Sequence, residues 1–343
     1  MFYFYATFFS YAMKIIIDSA IPYIEGVLEP YAEVVYRRGV DIDRESVEDC
    51  DAMIIRTRTR CDRALLEGSR VRLIATATIG TDHIDEAYCR ERGIILCNAA
   101  GCNARGVLQW VAAVLRHIVA QRNSRPEALR LGVVGVGSVG SLVVRYARSW
   151  GFDVVMCDPP RARREEGDFR DFDELLSSCD ILTFHTPLDS TTRHMLNAQN
   201  IAMLRPDTVV INASRGAVVD NWAVMESGHA YYFDVWEGEP EIPSNVLEHA
   251  TIATPHIAGY SRQGKANATA MSVRAIASMF GFRLGGWYPS EVVPVEPREI
   301  GWGELCATID NYCNIEAESQ PLKSSPESFE ALRNGYHYRE EYF

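Results

Sequence analysis

No apolar run in the 343 residues reaches the roughly 20 that a membrane-spanning helix requires. No C-x-x-C pair occurs among the nine cysteines, and their number is odd, which argues against both a disulfide framework and a thiolate zinc site. They read as reduced thiols, mostly buried, of a cytoplasmic protein without a metal. Basic residues are outnumbered, 34 against 46, and the formal charge of -12 disfavours nucleic acid and anionic membrane as partners. An anionic small substrate therefore needs a local basic pocket. The first twelve residues, MFYFYATFFSYA, lack a basic segment and a clear small-residue cleavage pattern, so they make a poor secretion signal. Met13-Lys14 ahead of Ile15-Ile16-Ile17 is the more natural start, and residues 1–12 are an extension of doubtful meaning. There is no internal repeat.

What is present is organised around Leu131 to Asp158. Leu131 to Val136 is a short β-branched run suited to a strand buried on both faces. Gly135, Gly137 and Gly140 follow in the spacing G-x-G-x-x-G. The first permits a tight turn, the second close approach of backbone to a pyrophosphate, and the third close packing of helix on strand. Ser138 and Val139 open that helix and aim its first amides at the phosphates. A second strand, Asp153 to Cys157, ends at Asp158, where a carboxylate can accept from an adenosine ribose and oppose a 2'-phosphate. The glycine pattern alone is weak; within this strand-turn-helix-strand-Asp unit it reads as a dinucleotide site for NAD. Arg161, Arg163 and Arg164 lie just beyond and can soften the choice of NAD over NADP.

Strands and helices alternate on both sides of this unit. Before it come strands at Lys14 to Asp18, Glu33 to Tyr36, Ala52 to Arg56, Val71 to Thr76 and Leu96 to Asn98, a helix near Tyr23 to Tyr31, and a long helix from Asn103. After it come strands at Ile181 to His185, Thr208 to Ala213, Tyr231 to Val235 and Thr251 to Thr254. Helices are expected over Asp171 to Ser178, Gln199 to Leu204 and Gln263 to Phe280. The pattern is α/β, with two parallel sheets in two Rossmann-like doubly wound domains and a cleft between them as the expected site. The last residues form a tail with helical patches and exposed-looking aromatics.

Three groups that can do chemistry follow strands of the nucleotide unit: Arg215 in INASRG, Glu239 in DVWEGEP and His256 in PHIAG. A carbon that gives hydride to nicotinamide must also lose its O–H proton, and a histidine is the natural base. A carboxylate on the other ring nitrogen fixes the tautomer, and a guanidinium holds a substrate carboxylate by two parallel bonds. Taken singly, the arginine and glutamate read as a surface ion pair and the histidine as a solvated loop residue. Arg56, Arg58 and Arg60 alternate with Thr57 and Thr59, so in an extended segment the arginines share one face and the threonines the other, and either can meet an anion.

The motifs GVGSVG, HTPL, INASRG, VVDN, DVWEGEP and PHIAG, in this order, resemble the D-isomer-specific 2-hydroxyacid dehydrogenases. By that likeness Arg215, Glu239 and His256 are catalytic. Gly135, Gly137, Ser138, Val139, Gly140, Asp158, Thr186, Asp234 and Gly259 serve NAD. MIIRTRTRCD, CDPPRA, HIAGYSRQGKA and FEALRNGYHYRE are similar to a narrower group within that family, which oxidises 4-phospho-D-erythronate at C2 with NAD+. That likeness implies Thr57, Thr78 and Tyr260 as substrate residues, a small phosphorylated 2-hydroxy acid as substrate, and a homodimer. It also implies a substrate domain of residues 13–100 and 265–285, a nucleotide domain of 101–264 and a small α+β dimerisation tail of 286–343. Two other readings stay open: a different 2-hydroxy acid such as 3-phosphoglycerate, glyoxylate or hydroxypyruvate, and an impaired NAD-sensing protein. The second is prompted by the segment from Arg215 to Asp234, some five residues shorter than the family pattern and so lacking more than a helical turn.

Overall fold

The most apolar runs, Ile15 to Ile17 and Leu131 to Val134 among them, become strands flanked on both sides by other strands. The computed structural model describes residues 13–343, so the N-terminal extension lies outside the described residues. By internal contacts the described residues divide into two units, residues 13–102 with 265–293 and residues 103–264 with 294–343.

The first unit holds a five-stranded parallel sheet of β1 (Lys14–Asp18), β2 (Glu33–Arg37), β3 (Ala52–Ile55), β4 (Leu73–Thr76) and β5 (Ile95–Asn98), in the order β2-β1-β3-β4-β5. Ile15, Ile16, Ile17 and all of β3 are sealed from solvent. Ile15 and Ile17 face Val273 and Ile276 of the helix Arg262–Phe280, while Ile16 faces the cluster around Val47, Met53 and Leu66. Alternate residues thus fill the two sides of one strand. Burying each such side chain contributes about 1.5–3 kcal/mol.

The expected helix over Tyr23 to Tyr31 is absent; the segment is a run of turns. Tyr23 and Gly26 take φ of +63° and +80°, and Pro22 and Pro30 bracket them, so helical φ and continuous amide donors are both lost. The expectation for Arg56 to Arg60 also fails. The chain turns here, with Thr59 N donating to Arg56 O at 3.2 Å, and Thr59 is buried against Gly39 O while Thr57 is exposed. A turn breaks the two-residue alternation on which shared faces depended.

The second unit holds a six-stranded parallel sheet of β6 (Arg130–Val134), β7 (Asp153–Cys157), β8 (Ile181–Phe184), β9 (Val209–Asn212), β10 (Tyr231–Phe233) and β11 (Ile252–Ala253). Their order is β11-β10-β9-β8-β6-β7. The chain leaves β6 toward β7 and then crosses to β8 on the other side, so the turn after β6 sits at the switch point where open α/β sheets bind ligands. Register brings Val134 level with Cys157 and Phe184, Phe184 with Asn212, Asn212 with Phe233, and Phe233 with Ala253. Every loop that carries a candidate residue in this unit therefore leaves the sheet along one edge.

The segment after Arg215 keeps its helix, Asn221–Ser227. Asp220 caps it by accepting from Ala223 N, and Gly228 at φ +76° ends it three residues before β10. Residues 294–343 belong to this unit and form the helices Trp302–Thr308, Ile315–Ser324 and Phe329–Asn334. The aromatics expected to be exposed are, apart from Tyr312, buried or half-buried. Phe329 and Phe343 are sealed, and Phe343 and Trp302 meet Tyr146 on the helix Ser138–Ser149 and Trp150 at its C-terminal cap, at ring distances of 5.3–6.2 Å. Tyr312 remains the exposed member at 38%. Among the described residues no helix is long and apolar enough to cross a membrane, and all nine cysteines are unpaired.

Candidate active site and dinucleotide cradle

Gly135 takes φ +82°, and a Cβ there would lie 2.8 Å from His185 O; a Cβ on Gly140 would lie 2.0 Å from Gly135 O. Both positions require glycine, so that the turn stays tight and the helix packs onto it. Above Gly137 there is open space within 4 Å. The helix then starts at Ser138 and Val139, whose amides belong to the first turn, which leaves its donors without partners inside the helix. Thr186 leans on the glycine turn, its methyl 2.8 Å from the position of that added Gly135 Cβ, and its buried Oγ1 has no hydrogen-bond partner. An open glycine backbone, free helix amides and an unpaired buried hydroxyl fit a dinucleotide phosphate.

Asp158 lies one residue past β7. Its Oδ2 accepts from Val136 N at 2.8 Å and its Oδ1 from Arg161 N at 2.9 Å, so the carboxylate is fixed beside the glycine turn. Arg161 is itself held by Glu165 at 2.6 Å and by Val136 O at 2.5 Å. Next to Thr186, His185 donates its amide to Val134 O, and its ring Nε2 lies 3.0 Å from Thr183 Oγ1. Burial drives its pKa from 6.5 down to about 3, so the ring is neutral.

His256 Nδ1 meets Glu239 Oε1 at 2.5 Å. The histidine stands three residues past β11 at φ +58°, a conformation that a non-glycine residue seldom takes. Asp234 holds it there. The amide of His256 donates to Asp234 O at 2.7 Å, while the buried Asp234 carboxylate accepts from Ile257 N, Ala258 N and Thr254 Oγ1 at 2.6–2.8 Å. Glu239 accepts a further bond from Trp236 N at 3.1 Å. Burial acts to raise its carboxyl pKa, but His256, the Trp236 amide and the charge of Arg333 outweigh it and hold the group below its ordinary range.

Arg215 follows β9, and its guanidinium donates to Ser214 O at 2.8 Å. Gly216 after it admits no side chain, because a Cβ would lie 2.0 Å from Trp236 C. That contact seats the Arg215 turn directly under the backbone that leads to Glu239. Gly259 lies against Asn103, whose Nδ2 occupies the space of a Cβ. Tyr260 follows, and its hydroxyl accepts from Arg333 Nε at 3.1 Å.

In the first unit Thr57 is exposed just beyond β3. Thr78 lies just beyond the adjacent β4, with Oγ1 2.6 Å from Thr76 Oγ1 and 3.1 Å from Gly80 O. A cavity of about 620 Å³ in the second unit lies at the opposite strand ends, beside Asp180, Thr208 and His229, and takes in none of these residues. Because ligands of such sheets bind beyond the carboxyl ends, the site is placed by the residues above and not by that cavity.

The family description "D-isomer specific 2-hydroxyacid dehydrogenase, NAD binding domain" matches residues 104–258. An erythronate-4-phosphate dehydrogenase of Bacteroides thetaiotaomicron is 44% identical over 96% of this chain and 97% of its own. The chain belongs to the D-isomer specific 2-hydroxyacid dehydrogenases. A second member, the erythronate-4-phosphate dehydrogenase of Azotobacter vinelandii, is 40% identical over 96% of this chain and 93% of its own. Among solved structures, D-lactate dehydrogenase of Aquifex aeolicus, complexed with NAD and lactic acid, shares the fold at a TM-score of 0.65. It is 22% identical over 80% of this chain and 98% of that one. The family's NAD-binding domain thus accounts for the glycine cradle.

What the sequence did not disclose is the part played by the tail. Arg333, Tyr336, Arg339 and Glu341 all reach the loop that carries His256 and Tyr260 or its supports. The signal in the sequence was the clustering of Arg333, Tyr336 and Arg339 in FEALRNGYHYRE.

Proposed function

We propose that this chain oxidises 4-phospho-D-erythronate at C2 to (R)-3-hydroxy-2-oxo-4-phosphooxybutanoate with NAD+, a step of pyridoxal 5'-phosphate biosynthesis. The observation that carries the chemistry is the 2.5 Å bond between His256 and Glu239 at the edge of the sheet that holds the glycine cradle. The substrate is supported by the names of relatives aligned over nearly the whole chain.

Glu239 accepts from Nδ1–H of His256 and so keeps Nε2 as the free base. Nε2 takes the proton of the C2 hydroxyl, and Glu239 stabilises the resulting imidazolium. Arg215 holds the substrate carboxylate and orients C2. The chemistry that bound NAD+ would supply is acceptance of the hydride from C2. Gly135, Gly137, Ser138, Val139 and Gly140 cradle its pyrophosphate, Asp158 and Thr186 its adenosine side, and Asp234 and Gly259 support the nicotinamide end. Thr57, Thr78 and Tyr260 contribute hydroxyls to the substrate. The protein works as a homodimer in the cytoplasm, which fits nine unpaired cysteines.

The test compares kcat/KM for 4-phospho-D-erythronate with that for 3-phosphoglycerate, glyoxylate and hydroxypyruvate. The phosphorylated four-carbon acid is expected to lead by at least about tenfold, and a lead by any of the others overturns the assignment. The reading as an impaired sensor loses its motive, since the helix Asn221–Ser227 is intact.

A further inference from the structure

Arg333 is a tail residue placed to act on a ligand and not only on the fold. It lies half-buried in the helix Phe329–Asn334, and its Nε donates to Tyr260 OH at 3.1 Å. Its two terminal nitrogens make no hydrogen bond or ion pair among the described residues. Its charge is also felt by Glu239, the partner of His256.

The neighbours fix Tyr260, the anchor of this guanidinium, in place. Tyr336 and Tyr338 pack edge-on against Tyr260 at ring distances of 6.2 and 5.9 Å. Buried Arg339 donates to Gly106 O at 3.1 Å, to Ala258 O and to Tyr336 OH, tying the tail to the His256 loop. Ser261 Oγ donates to Glu341 Oε1 at 2.6 Å, and Arg262 N to Arg339 O at 3.0 Å. An arginine used only as a strut would have its terminal nitrogens taken up by acceptors, as those of Arg339 are. Arg333 instead has its inner nitrogen anchored and its outer pair open, the arrangement that receives an oxyanion through two parallel bonds. In a chain of formal charge -12 such a donor is needed wherever an anion is to bind.

We propose that Arg333, held by Tyr260, receives the phosphate of the substrate and so sets the preference for a phosphorylated 2-hydroxy acid. The proposal rests on the function given above, with Arg215 taking the carboxylate and Arg333 the phosphate at the other end of the same molecule.

The experiment compares the full-length protein with R333M and R333K, using 4-phospho-D-erythronate and unphosphorylated D-erythronate. In R333M, kcat/KM for the phosphorylated acid is expected to fall about 10- to 100-fold, chiefly through KM, while that for D-erythronate changes less than about threefold. R333K is expected to recover part of the loss, and NAD+ affinity to stay constant. Calorimetric binding of inorganic phosphate to the NAD+-loaded protein is expected to weaken in R333M. An equal loss on both acids, or unchanged phosphate binding, overturns the proposal. If the wild type does not oxidise 4-phospho-D-erythronate, the assigned function fails, and the phosphate-binding comparison still decides whether Arg333 is an anion receptor.

Discussion

Gly216 and Trp236 approach so closely that a single Cβ on the glycine would lie 2.0 Å from the tryptophan carbonyl carbon. Through this contact the turn bearing Arg215 and the turn leading to Glu239 form one piece. Gly216→Ala is expected to cost about 1–3 kcal/mol of stability and to raise KM for the hydroxy acid through displacement of Arg215. Chemical denaturation and steady-state kinetics read the two effects. A variant with unchanged stability and KM contradicts the contact.

Glu239→Gln keeps the size of the side chain and removes the charge that supports imidazolium. Turnover is expected to fall about 100-fold or more, with NAD+ binding kept. The carboxyl is held below its ordinary value of 4.5, so it stabilises the folded protein above that pH and loses its contribution as pH falls through the depressed value. The unfolding free energy of E239Q is therefore expected to vary less with pH in that acidic range than that of the wild type.

His185 gives the converse case for a base. Its pKa falls from 6.5 to about 3 on burial, so the unfolded chain binds a proton that the folded one refuses. Stability is lost as pH drops from 6.5 toward 3, with a slope of at most about 1.4 kcal/mol per pH unit. His185→Gln is expected to remove that slope, measured by denaturation at several pH values. An unchanged slope contradicts a buried neutral imidazole.

Asp158, fixed by Val136 N and Arg161 N, is expected to repel a 2'-phosphate. Asp158→Ser is expected to lower the ratio of kcat/KM for NAD+ to that for NADP+ by at least about tenfold. A ratio that does not move places nucleotide choice elsewhere, with Arg161 and its neighbours the next residues to test.

How much of this was legible in the sequence depends on the range of the interaction. Ile15 to Ile17 and Leu131 to Val134 announce strands because burial on both faces demands continuous apolar residues, and the glycines announce a turn through local sterics. The pairing of His256 with Glu239 was also inferable, since the chemistry requires a carboxylate and both follow neighbouring strands. Tyr23 to Tyr31 misled because its apolar spacing suits a helix, while positive φ at Tyr23 and Gly26 forbids one. Arg56 to Arg60 misled because alternation was read on a segment that turns. The burial of Phe329 and Phe343 and the bond from Arg333 to Tyr260 join residues far apart in the chain, and no local pattern encodes them.

The proposed removal of the C2 hydroxyl proton by the His256 imidazole, aligned by Glu239, is tested by turnover of 4-phospho-D-erythronate by His256→Asn with NAD+ affinity measured on the same sample. Turnover is expected to fall about 100-fold or more, with affinity for NAD+ within about threefold of the wild type. Turnover that survives the substitution contradicts it.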